Sequence, residues 1–184
     1  MVSSTRVAAL LAGAVATVAL TGAADAATYR VAGKQVAINV DATGAGQYKM
    51  RGGLRGMWTI NELNEVSTSP YYEAQGTELF KGCIDRRRDR SCKGDPSGTL
   101  SFTIRYWALF GSADPESLVW GACWHPVVAG TGDFRDAQGV MMMVDSPTRS
   151  GVKTGYIGTL TLAGARASSS RVVKASGAVP RPGC

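Results

Sequence analysis

Apolar and polar residues alternate along most of this chain with a period of two. The clearest run is Thr99 to Phe110: Leu100, Phe102, Ile104, Tyr106, Ala108 and Phe110 fall on one side, and Thr99, Ser101, Thr103 and Arg105 on the other. Successive side chains of a strand point to opposite faces, so this run predicts a half-buried strand. Gln35–Val40 reads the same way, with Val36, Ile38 and Val40 on one face, as does Met57–Val66, with Trp58 and Ile60 together. Thr77–Cys83, Leu118–Val128, Gly139–Val144 and Gly155–Leu162 complete a set of seven, with room for an eighth near Tyr29–Ala32 or in the tail. No segment sustains helical periodicity. Turn signals such as Ala113-Asp114-Pro115 and Ser146-Pro147-Thr148 separate the runs, and 23 glycines are spread among them. Sequential antiparallel strands with short links and no covering helices favour a sandwich or a closed barrel. The expected fold is all-β: one antiparallel eight-stranded β-barrel, whose closure removes the exposed sheet edges. Eight strands enclose an interior that side chains fill or that holds one small ligand.

The first 26 residues read as a secretory signal. Arg6 precedes the apolar run Val7–Leu20, and Ala24-Asp25-Ala26 supplies a small-x-small cleavage site. The run is shorter than the roughly 20 residues that span a bilayer, which argues against an anchor, and no later segment reaches that length. The expected organisation is a signal peptide over 1–26, a barrel over 27–163 and a loosely attached tail over 164–184, rich in Ala, Ser, Gly and Pro, with a short strand at Arg171–Lys174 as an option. The expected location is extracellular, with no stable membrane insertion. The formal charge is +6 and survives removal of residues 1–26, which hold only Arg6 and Asp25. A basic exported protein suits anionic surfaces, although the same charge also serves plain solubility.

An even number of cysteines in an exported chain points to disulfides. Cys83 and Cys92 enclose IDRRRDRS, so their pairing is expected to staple a hairpin loop; Cys123 is then left for Cys184, which would tie the tail to the barrel. Zinc is the rival reading. It is disfavoured because the chain has no CxxC element and a single histidine, His125. In the stapled loop, Arg86, Arg87 and Arg88 offer an anion-binding cluster, against the plainer reading of a solvated tip with alternating ion pairs. Nucleic acid is not expected, because no aromatic residues interleave with these arginines.

Between two apolar runs lies VVAGTGDFRDAQG. Gly130, Thr131 and Gly132 form a tight turn, Phe134 and Ala137 are apolar anchors, and Gly139 opens the next strand. Asp133 and Arg135 flank Phe134 and are read as capping or pairing across the turn. The pattern of Gly130, Thr131, Gly132, Phe134, Ala137 and Gly139, followed by an apolar strand, resembles the glycine corner of the dirigent and allene oxide cyclase-like barrels. Tyr156-Ile157-Gly158-Thr159-Leu160 is similar to their closing strand, and the likeness covers roughly residues 55 to 163. It implies an eight-stranded antiparallel barrel, a cavity for a hydrophobic small molecule, self-assembly into dimers or trimers, and the steering of reactive bound intermediates. The plant members' catalytic residues lie outside the corner and are not carried onto this chain. The paired cysteines and basic loop depart from the plant pattern and fit a secreted bacterial-type branch.

For catalysis the candidates are Glu62, in the register of Trp58 and Ile60 unless the register flips and leaves it solvated, together with Tyr106 and His125; Glu78 shares a face with Phe80 and is a weaker addition. A carboxyl in an apolar cavity has its pKa raised toward acid–base use, and an imidazole titrates near neutrality. Cys123 shares a strand face with His125. Trp58, Tyr106, Trp120 and Tyr156 are the expected ligand-lining aromatics, although core packing would use the same residue types. Trp107 lies on the polar face of its strand and is the expected surface-contact aromatic. Met141-Met142-Met143 places core on one side and a cavity wall or subunit interface on the other. No motif for a nucleotide, metal or flavin is present, so no cofactor is expected. Three functions stay open: a non-catalytic barrel that binds a small hydrophobic or aromatic ligand or assembles with itself; a cofactor-free, cyclase-like isomerase or dirigent-type steering protein; and a cell-surface module acting through the arginine loop and Trp107.

Overall fold

The computed structural model describes residues 26–41, 43–68, 71–111, 117–149 and 151–164. The expected signal sequence and tail, with its optional strand, lie outside these residues. The strands are β1 (Ala27–Val40), β2 (Gly46–Gly52), β3 (Leu54–Ser67), β4 (Tyr72–Ile84), β5 (Ser97–Phe110), β6 (Leu118–Gly132), β7 (Gln138–Thr148) and β8 (Gly151–Leu162). Each pairs antiparallel with its sequence neighbour, and β8 returns to β1, closing an eight-stranded barrel.

Tyr29–Ala32 and Gln35–Val40 form one continuous strand, and the strand that completes the eight of the closed barrel is Gly46–Gly52. That short strand buries Met50 and part of Tyr48 while exposing Gln47, Lys49 and Arg51, the alternation of a one-sided strand. On β1, Val36 and Ile38 are exposed rather than core.

The interior is packed from one end upward. At that closed end the corner after β6 folds Phe134 into the barrel, where it is fully buried beside Phe80. Gly132 adopts φ 63°, a left-handed conformation, and a Cβ on Gly130 would collide with the Phe134 carbonyl. The turn is closed by Phe134 N–H donating to Thr131 O (3.1 Å) and Ala137 N–H to Phe134 O (3.0 Å). Asp133 accepts from Ser97 N–H at 2.9 Å, fastening the corner to β5. Above the corner sit Leu54, Leu100, Leu162, Trp58, Phe102, Met141 and Leu160, all essentially without solvent contact. On β7, Met141 and Met143 face this core, and Met142 between them is half-buried on the outside.

The Cys83–Cys92 disulfide closes the β4–β5 loop as expected. Such a bond fits an oxidising, non-cytoplasmic environment. The second expected pairing is not formed: Cys123 carries a free thiol, buried inside the barrel on the strand face it shares with His125. Cys184 lies outside the described residues.

Candidate functional site

The barrel's two ends differ. At the closed end, Tyr156 is committed to structure. Its hydroxyl accepts from Leu54 N–H at 2.8 Å and lies 3.2 Å from the carbonyls of Arg51 and Leu54, and burial pushes its pKa up. Tyr156 therefore corrects one expectation: its polar atom braces the β2–β3 connection instead of facing a ligand. Trp58 is also interior and fully buried, stacked on Phe102 at 4.6 Å.

Midway along the interior, Glu78 of β4 and His125 of β6 form a buried pair, with His125 Nδ1 bonded to Glu78 Oε2 and exposures of 2% and 1%. The two strands are not neighbours, since β5 runs between them. Barrel curvature turns the inward side chains toward one another, and so brings a β4 carboxylate to a β6 imidazole. Trp58 meets the imidazole edge-on at 5.4 Å. Three buried polar atoms of these touching side chains have no hydrogen-bond partner: Glu78 Oε1, His125 Nε2 and Trp58 Nε1. Native interiors rarely leave such groups unpaired, and several in one place mark either a cost without return or a site that acts on something else.

Toward the opposite rim the interior becomes more polar. Asp145 of β7 accepts from the Thr154 hydroxyl and from Tyr106; burial raises its pKa, and these two hydrogen bonds oppose the rise. Tyr106 is pushed up as well, by burial and then by Asp145. Tyr48 is pushed up to about 12, mainly by burial, then by the charges of Asp145 and Glu78; its hydroxyl donates to Gly44 O at 2.7 Å. The Cys123 thiol is held well above its usual range, chiefly by burial and next by Glu78. Tyr72 packs edge-on against Tyr106 at 6.1 Å, and Ile60 and Leu63 pack against the core below. The interior thus grades from a sealed apolar plug to a rim of phenols, a carboxylate and a few apolar side chains.

This arrangement is suited to proton transfer. A carboxylate that accepts from Nδ1–H fixes the imidazole tautomer and leaves Nε2 with a lone pair. The apolar walls weaken solvent's competition for that atom.

His125 and Tyr106 of the sequence candidates are brought into one interior. Glu62 is not. A bulge between Ile60 and Glu62 shifts the alternation, and Glu62 stands exposed outside, accepting from the Asn64 amide at 3.0 Å. Trp120 is likewise outside, 40% exposed, on the strand side opposite Cys123 and His125. Of the arginine cluster, Arg86 is bound to the buried Asp95 at 3.0 Å and to Gly94 O, whereas Arg87 and Arg88 are exposed. Trp107 is half-buried under Arg105, and Trp124 beside it is the more exposed indole. The two line a shallow outer groove of about 350 Å3 with Pro126 and Val140. Asp145 was not singled out from sequence, although it shares the inward parity of Met141 and Met143. Among the described residues, no helix is long and apolar enough to cross a membrane. No family model matches the chain, and no curated protein or solved structure matches it either.

Proposed function

We propose that the barrel interior is a cofactor-free acid–base site for a small, mainly apolar molecule, entered from the rim lined by Tyr48, Tyr72, Tyr106 and Asp145. The observation that carries this reading is the buried Glu78–His125 pair with its outer atoms unpartnered. A barrel that needed only a core would be as stable, or more so, with apolar residues in both places. In the proposed chemistry Glu78 orients the imidazole, Nε2 removes a proton from the bound molecule, and the Tyr106 hydroxyl donates to the oxygen on which charge develops. Confinement against Trp58 and Phe102 selects one conformer of the intermediate. The interior is packed with side chains, so entry includes displacement of those at the rim.

This reading joins the ligand-binding and the isomerase-like expectations, and agrees with what the resemblance to dirigent and allene oxide cyclase-like barrels implies. Secretion directed by residues 1–26 is part of the same proposal, supported by the disulfide. The test is solvent-deuterium exchange into small apolar ketones with an acidic C–H, followed by NMR. The wild-type protein accelerates exchange above buffer, and His125→Gln abolishes the acceleration. Exchange equal in protein, variant and buffer overturns the proposal.

A surface-contact role keeps one favourable observation, the outer groove between Trp107 and Trp124. The arginine loop adds less to it than its composition suggests, because Arg86 is already engaged by Asp95.

A further inference from the structure

At the closed end, on the far side of the barrel from the rim, the β4–β5 loop gathers three carboxylates. Oxygens of Asp85, Asp89 and Asp95 all lie within 4.8 Å of one another. Two of these residues are buried, at 2% for Asp85 and 5% for Asp95. Each uses one oxygen on an arginine: Asp85 Oδ2 accepts from Arg55 Nε at 3.0 Å, and Asp95 Oδ1 from Arg86 Nε at 3.0 Å. The remaining oxygens, Asp85 Oδ1 and Asp95 Oδ2, are buried without a hydrogen-bond partner. A buried carboxylate oxygen facing nothing is costly, and two in one loop beside a third carboxylate point to a missing positive partner.

We infer that this loop is a binding site for a divalent cation of the calcium type. The donors are all hard oxygens. The loop's cysteines are joined as a disulfide and give no thiolate, which turns the site away from zinc and other thiophilic metals. Calcium–oxygen bonds of about 2.3–2.6 Å place two ligands up to roughly 5 Å apart across the ion, a span that matches these carboxylates. Magnesium demands a tighter, near-ideal octahedron at about 2.0–2.1 Å, which suits carboxylates spread over up to 4.8 Å less well. Asp85 N–H is tied to Gly53 O at 2.9 Å and Asp95 N–H to Cys92 O at 3.2 Å. The disulfide closes the segment that carries Asp85 and Asp89.

The surrounding charge sets the strength. Arg55 and Arg86 offset part of the carboxylate charge, and Arg87, Arg88 and Arg90 are exposed nearby, where salt screens them. Few uncompensated ligand charges place the affinity in the weak class of extracellular modules, roughly 10⁻⁴ to 10⁻³ M. A site of that strength fills outside a cell, where calcium is abundant, and not in a calcium-poor compartment. Asp89 is the exposed member; its Oδ1 accepts from Ser91 N–H and hydroxyl at 2.9 Å, which leaves its other oxygen available as a ligand.

The experiment is calorimetric titration of the purified, oxidised protein with calcium chloride, paired with thermal unfolding. Controls are magnesium chloride and potassium chloride at matched ionic strength. Calcium at ten times its Kd raises the folding equilibrium constant roughly elevenfold by mass action. Asp89→Asn breaks neither buried ion pair, so it leaves the calcium-free melting temperature near that of the wild type and raises the calcium Kd at least about tenfold. A melting temperature and calorimetric trace unmoved by calcium overturn the inference. So does a response that magnesium or potassium reproduces, or one that Asp89→Asn leaves intact. The site lies away from Glu78 and His125, so these outcomes are separate from the proton-transfer test.

Discussion

The Glu78–His125 pair permits a double-mutant cycle whose outcome depends on whether the pair serves stability or chemistry. His125→Phe leaves a carboxylate buried without its partner, against Trp58 and Phe102. An uncompensated buried charge costs about 3–5 kcal/mol. Glu78→Leu leaves an imidazole that can stay neutral, and the cost falls to the about 1–3 kcal/mol of an unpaired buried polar group. At roughly 3 °C per kcal/mol for a domain of this size, the melting temperature drops by about 9–15 °C and about 3–9 °C respectively. The double variant removes the buried carboxylate, the imidazole and all the unpaired atoms of the pair. Apolar replacement of a buried ion pair is often neutral or stabilising by about 1–4 kcal/mol, so the double variant melts at or above the wild type. The coupling energy then exceeds the roughly 3 kcal/mol of ordinary neighbouring residues. Urea unfolding of all four proteins, followed by tryptophan fluorescence, measures it. Additive single costs, or a double variant as unstable as the worse single one, would make the pair a structural prop and refute the reasoning.

Other consequences follow from the same geometry. Tyr156→Phe strands the buried Leu54 N–H and lowers stability by about 1–3 kcal/mol in urea unfolding; an unchanged midpoint would mean that the hydroxyl contributes nothing. Replacing Cys83 and Cys92 by serine opens a short loop and costs about 2.5 kcal/mol by chain entropy, while Cys123 resists a neutral-pH thiol reagent until unfolding, because burial holds its pKa high. Rapid labelling of native Cys123 would contradict its enclosure. Asp145 has a folded-state pKa above its unfolded 3.8, so the native state takes up its proton first as pH falls. Its burial penalty is therefore full at neutral pH and shrinks as pH falls through the raised pKa. Asp145→Asn accordingly stabilises the protein at pH 7 and loses that advantage below about pH 3.8; an equal effect at both pH values would speak against a buried carboxylate.

Much of the barrel could be read from the sequence because one-sided strands write their burial into alternation. Thr99–Phe110 did so almost without fault, since every apolar position to Ala108 is buried or half-buried and only Phe110 emerges at the rim. The glycine corner was readable because Gly130 and Gly132 stand where a side chain is excluded or strained. Gly46–Gly52 was missed because its inward residues are a tyrosine and a methionine among glycines and cations, although Tyr48 and Met50 do alternate with Gln47, Lys49 and Arg51. The site was harder. Alternation leaves Glu62 open between cavity and solvent, and one bulge decides it for solvent, since a single extra residue flips all that follows to the other face. Parity put Glu78 beside Phe80 and His125 beside Cys123, but that the two meet depends on closure across an intervening strand, which no local pattern records. Cys123 went to a disulfide on the arithmetic of an even count, and its inward parity with His125 was the signal against it.

His125 is the protein's single histidine, so its imidazole gives one set of ring signals in a 15N spectrum. The most direct measurement is that spectrum, recorded while small apolar ketones and phenols are titrated in. A proton-transfer interior predicts that Nε2 shifts on ligand binding while Nδ1 keeps the signature of its bond to Glu78, and that Tyr106 responds in parallel. Ring signals unmoved by every compound that binds the protein would contradict it.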